Sequence, residues 1–91
     1  MLFMYIHTHA VEKCLVDKLE EASKIVGQVQ DATKRAGIKM IGPYIAAHEH
    51  TSFTIFDTDD LATLEHALVP LTIWGSGRMI PVTSMEQLLQ Q

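Results

Sequence analysis

The 91-residue chain has a single cysteine, Cys14, which excludes an internal disulfide framework. Basic charge is scarce: seven Lys and Arg stand against eleven Asp and Glu, for a formal net charge of −4. Residues such as Lys34 and Arg35 form no stripe of the kind nucleic acid requires. No apolar run nears the roughly 20 residues that cross a bilayer. The amino terminus lacks the basic and long apolar regions of a signal peptide. A phosphate-cradling loop is missing too, because Gly75-Ser76-Gly77 is too short and leads into a strand pattern, not a helix. These absences leave a cytoplasmic protein with no membrane or nucleic-acid partner as the expectation. What is present, 47% hydrophobic and 20% charged residues, is the balance of a folded globular chain. Its length predicts one domain spanning residues 1–91.

Alternation from Leu2 to His9 predicts a first strand, with Phe3, Tyr5, His7 and His9 on one face and Met4 and Ile6 on the other. Leu15, Leu19, Ala22, Val26, Val29, Thr33 and Ala36 recur at fours and threes, which predicts a long helix with one apolar stripe. Asp17 and Glu20 have the spacing of a capping box at its start, and Gly37 after Lys34 and Arg35 marks its end. Residues 38–48 read as a second strand, which Pro43 confines to a sheet edge or a bulge. Glu49-His50-Thr51 predicts a tight hairpin into a third strand, Ser52 to Phe56. Asp57-Thr58-Asp59-Asp60 supplies a cap and first-turn acids for a second helix. Leu61, Leu64 and Leu68 form that helix's stripe, and Pro70 is its expected stop. A loop with Trp74 among glycines, read as a cover over the core with a mobile lid as the alternative, leads to a fourth strand, Arg78 to Val82. Ser84 with Gln87 predicts a capped final turn.

The resulting order, βαββαβ, implies an α+β protein of ferredoxin-like arrangement with a four-stranded antiparallel sheet. Its crossovers put both helices on one sheet face. Phe3, Tyr5, Tyr44 and Phe53 are expected on the uncovered face, which predicts a homodimer joined sheet to sheet. That order, the aromatic third strand running into Asp57-Thr58-Asp59-Asp60, and the closing Ile80-Pro81-Val82-Thr83-Ser84 together resemble the dimeric α+β barrel superfamily. The resemblance spans nearly the whole chain. It looks closest to small uncharacterised or nickel-binding members, which carry a His-bearing first strand like Tyr5-Ile6-His7-Thr8-His9. The superfamily holds cofactor-free monooxygenases, isomerases, haem enzymes and metal-binding proteins, so the likeness implies a fold and no single activity. No ligand positions are carried over from any member.

The chemistry is concentrated in two His-x-His pairs, His7/His9 and His48/His50, and in Cys14. The first two strands run parallel in this topology with the third between them, so both pairs reach the same sheet end, where Cys14 enters from the loop leaving the first strand. Imidazoles with one thiolate suit nickel, copper or zinc. His7, His9, Cys14, His48 and His50 are therefore the metal-ligand candidates, with Glu49 as a carboxylate ligand or an orienting partner. The function this implies is a small homodimeric transition-metal-binding protein. A second reading takes His7 and Tyr5 as the acid–base pair of a cofactor-free barrel enzyme, a monooxygenase or isomerase acting on a small organic molecule. A third is an interaction module without chemistry. His66, in mid-helix, is expected to be solvated.

Overall fold

Every second residue of β1 (Leu2–Thr8) is buried, as a strand covered on one face requires. The computed structural model describes residues 1–15 and 17–90. β1 pairs antiparallel with β3 (Thr51–Asp57) on one side and with β4 (Ser76–Val82) on the other. β2 (Lys39–Ala46) pairs antiparallel with β3, giving the order β2-β3-β1-β4. The fold is α+β and ferredoxin-like, with one four-stranded antiparallel sheet. Pro43 lies on an edge strand, and the β2–β3 register shifts between Ile41 and Tyr44. A residue with no N–H to donate is tolerated at such a place.

Of the four residues expected on the uncovered face, Tyr44 and Phe53 lie there and Phe3 and Tyr5 do not. Phe3, Tyr5 and His7 do share a face, but it is the helix-covered one, where they are 4%, 7% and 1% exposed. Phe3 and Tyr5 join Val29, Ile38, Phe56, Leu64 and Leu68 in the core. Alternation fixes which residues point together; it does not say which set the helices will cover. The uncovered face carries Met4 and Ile6 with their cross-strand partners Ile55, Phe53, Ile80 and Arg78, and also Ile41. Tyr44, paired with Phe53, lies there as expected and is 63% exposed.

α1 (Leu19–Arg35) starts later than its stripe suggests. Of the expected opening turn, Val16 lies outside the described residues. Lys18 is the N-cap and no side chain caps it, so the Asp17–Glu20 box does not form. A 3-10 turn at Val11–Lys13 precedes it instead, and Leu15 remains outside the helix. The C-terminus closes as the sequence indicates. Gly37 takes φ 73°, its N–H bonds the carbonyl of Lys34, and that of Ile38 bonds Thr33, a Schellman cap.

α2 (Leu61–Ala67) is capped by Asp60, which accepts from the Thr63 N–H at 3.1 Å and from its hydroxyl at 2.6 Å. These bonds hold the Asp60 carboxyl below its ordinary range, the hydroxyl contributing most. Pro70 does not end the helical path. It sits in the first turn of α3 (Val69–Thr72), where proline's missing N–H is not needed. α4 (Met85–Leu89) begins at Ser84, whose hydroxyl accepts from Gln87 N–H at 3.0 Å. His66 is exposed, as expected. Among the described residues no helix is long and apolar enough to cross a membrane.

Candidate metal centre

Three connections meet where β1 leaves the sheet. His9 lies just past the end of β1, and its backbone N–H bonds the carbonyl of His50 at 3.1 Å, extending the ladder by one step. His50 ends the 3-10 turn Ala47–Glu49 in the left-handed conformation (φ 50°, ψ 38°), immediately before β3. Cys14 follows the 3-10 turn Val11–Lys13, fixed by a bond from its N–H to the carbonyl of Val11 at 3.1 Å. One donor atom from each of His9, Cys14 and His50 lies within 4.8 Å of the others.

The two imidazoles of this triad are incompletely satisfied. His9 Nε2 and His50 Nδ1 are buried and have no hydrogen-bond partner. A buried polar atom without a partner is costly, on the order of 1–3 kcal/mol, and two beside one thiol call for an explanation. Their rings meet edge to face with centroids 5.4 Å apart. Burial, and then the neighbouring His50 and His7, push the His9 pKa below the usual histidine value. The neutral imidazole that results is the form that binds a cation.

Trp74 roofs the cluster. Its ring stacks on His9 at 5.0 Å and 15°, and its Nε1–H donates to the carbonyl of Lys13 at 2.8 Å, tying down the turn that delivers Cys14. Gly75 lets this segment come so close. A β-carbon there would run into the carbonyl oxygen of Thr8 and come within 3.0 Å of His7 Cε1. Beneath Trp74 is a cavity of about 110 Å³, lined by all three members of the triad and by Leu15, Ala22 and Ile45 among others.

The structure thus gathers His9, Cys14 and His50 and sets two expected ligands apart. His7 is buried beside the cluster, with its ring 6.4 Å from that of His9. Its Nε2 is 3.1 Å from the Leu71 carbonyl. A carbonyl oxygen only accepts, so Nε2 carries the proton there. Burial lowers the His7 pKa and this bond partly opposes the shift. His48 is exposed on the 3-10 turn, as is Glu49. Pairing His48 with His50 assumed extended backbone. A 3-10 turn followed by a left-handed residue removes the two-residue alternation on which that pairing depended.

Tyr5 lies next to His7, with ring centroids 6.1 Å apart, and burial raises its pKa. His7 is not among the residues lining either the triad cavity or the smaller one that reaches Tyr5. The sequence presents Trp74 as a lid or a core cover, and does not show its part in the site. The signal available was Gly75: a glycine beside a large aromatic at a strand entrance often marks close backbone approach. Over residues 1–91 the chain matches the family described as a domain of unknown function, DUF3303, and it belongs to that family. No curated protein matches it.

Proposed function

We propose that this member of the DUF3303 family binds one transition-metal ion through His9, Cys14 and His50. The observation that carries the reading is the pair of buried, unpartnered imidazole nitrogens grouped with a thiol within 4.8 Å. Two imidazoles and a thiolate form a borderline-soft donor set suited to zinc, nickel or copper. Bonds of about 2.0–2.3 Å put tetrahedral donors roughly 3.3–3.8 Å apart, so closing on an ion takes roughly 1 Å of contraction. Three protein ligands leave a fourth position, the arrangement of catalytic zinc centres. His7 does not coordinate in this reading; it packs against Trp74 at 5.1 Å and supports the roof. A thiolate ligand must stay reduced, which favours a cytoplasmic setting.

The uncovered sheet face supports a homodimer of the dimeric α+β barrel kind. Met4, Ile6, Ile41, Phe53, Ile55 and Ile80 form an apolar patch on that face, with Arg78 beside Ile6, and a second copy would remove the patch from water. The cofactor-free enzyme reading has less support, because His7 is committed to Leu71.

Elemental analysis and calorimetric titration of untagged protein with zinc, nickel and copper test the assignment. One ion per chain is expected, lost in both His9→Ala and His50→Ala and kept in His48→Ala. Wild-type stoichiometry and affinity in a His9→Ala/His50→Ala double variant would remove the triad as the site.

A further inference from the structure

The triad cavity does not end at its ligands. A second cavity of about 40 Å³ lies next to it and reaches Tyr5 and Val26 of α1, and both are lined by Ile45, Ser52 and Trp74. Neither lining includes an Asp, Glu, Lys or Arg. The packing of α1 explains the space. Val29 and Thr33, in its C-terminal half, are buried, whereas Ala22 and Val26 are only half-buried and Leu19 is 69% exposed.

From these features we propose that the space between the N-terminal half of α1 and the sheet binds an uncharged organic molecule about the size of one aromatic ring. One donor atom of that molecule would face the ion held by His9, Cys14 and His50. Size and polarity select this class. An apolar cavity of about 150 Å³ takes a benzene ring, and the two volumes here, about 110 and about 40 Å³, are of that order. In the metal-free protein an ionised ligand would lose its hydration with no opposite charge to meet it. The Trp74 ring offers an aromatic surface, and the Ser52 hydroxyl gives a weakly polar point on the floor. The triad lines the larger cavity, so a thiol, hydroxyl or imine nitrogen on the ring reaches the fourth coordination position. Only this last contact rests on the metal reading; the cavity's choice of ligand does not.

The test uses full-length protein and the emission of Trp74, its single tryptophan. Metal-free protein is titrated with toluene, benzoate and benzyl mercaptan. Toluene is expected to bind saturably, and benzoate about a hundredfold more weakly or worse. Zinc loading is expected to tighten benzyl mercaptan about tenfold or more and to leave toluene unchanged. Ala22→Phe, which fills the cavity, is expected to abolish toluene binding while one zinc per chain is retained. Ile45→Ala, which enlarges it without adding bulk, is expected to admit naphthalene. Absence of saturable toluene binding to wild type, or benzoate binding as tight as toluene, overturns the proposal. Zinc-loaded protein that shows no gain for benzyl mercaptan overturns the contact with the ion. Protein that takes up no zinc overturns the metal reading instead, and the toluene and benzoate titrations still decide the cavity.

Discussion

The two ends of the layer between α1 and the sheet follow different rules. At the far end Val29, Ile38, Phe56 and Leu64 are 6% exposed or less. The one polar group of α1 buried among them, the Thr33 hydroxyl, donates to the Val29 carbonyl at 2.9 Å. At the near end the same helix and the same sheet enclose open volume, and His9 Nε2 and His50 Nδ1 have no partner. Polar groups are satisfied at one end and two buried nitrogens are left free at the other, a contrast that the proposed metal site accounts for. On the proposed reading, stability resides chiefly in the first region and binding in the second.

Separate perturbation of the two ends sharpens that division. The largest effect belongs to the packed end: Leu64→Ala, at a side chain with 0% exposure, should cost about 2–5 kcal/mol in urea unfolding. The protein that remains folded should still take up one metal per chain; loss of uptake by folded protein would mean that the ends are not independent. Gly75→Ala acts at the other end, where its β-carbon collides with the Thr8 carbonyl. It should cost about 1–3 kcal/mol and, unlike Leu64→Ala, weaken metal binding in folded protein. A variant with wild-type affinity would show that the close approach of Trp74 is unimportant to the site. Trp74→Phe removes the bond to Lys13 and keeps an aromatic ring over His9. About 1 kcal/mol of stability is the expected loss, with metal affinity down about 10–100-fold, as for other groups that orient a ligand. Titration calorimetry reads the second figure, and no change in it would make Trp74 a cover and nothing more.

The smallest effect is that of pH on the metal-free protein. Burial lowers the pKa of His7 and of His9 in the folded state. In the unfolded chain both return to about 6.5. Below that value the unfolded state binds protons that the folded state refuses, so stability falls as pH drops through the window beneath 6.5 and levels off under the folded values. Thermal unfolding should come earlier at acidic pH than at neutral pH, and His7→Gln should flatten the trend. An unchanged midpoint across that window would show that neither imidazole is buried enough to matter.

How much of this was legible depended on the kind of signal. The element order, the Gly37 cap, the Asp60 and Ser84 caps and the edge position of β2 all rest on local chemistry, and all are found in the structure. That the first strand ends beside the connection between the second and third also follows from topology, and the His9 to His50 backbone bond shows it directly. Which face of β1 the helices cover was not local information, and Phe3 and Tyr5 were assigned to the wrong side. The separation of His48 from His50 hinged on one left-handed residue, a choice made by packing at the turn. α2 does end before Pro70, but the sequence pattern cannot show that a new helical turn starts around it.

The most direct test of the account is X-ray absorption at the metal edge of zinc- or nickel-loaded protein. One sulfur scatterer at about 2.3 Å and two imidazoles at about 2.0–2.1 Å are expected, with the sulfur lost in Cys14→Ser. A metal shell without sulfur, or with imidazole scattering unchanged in His9→Ala, would contradict it.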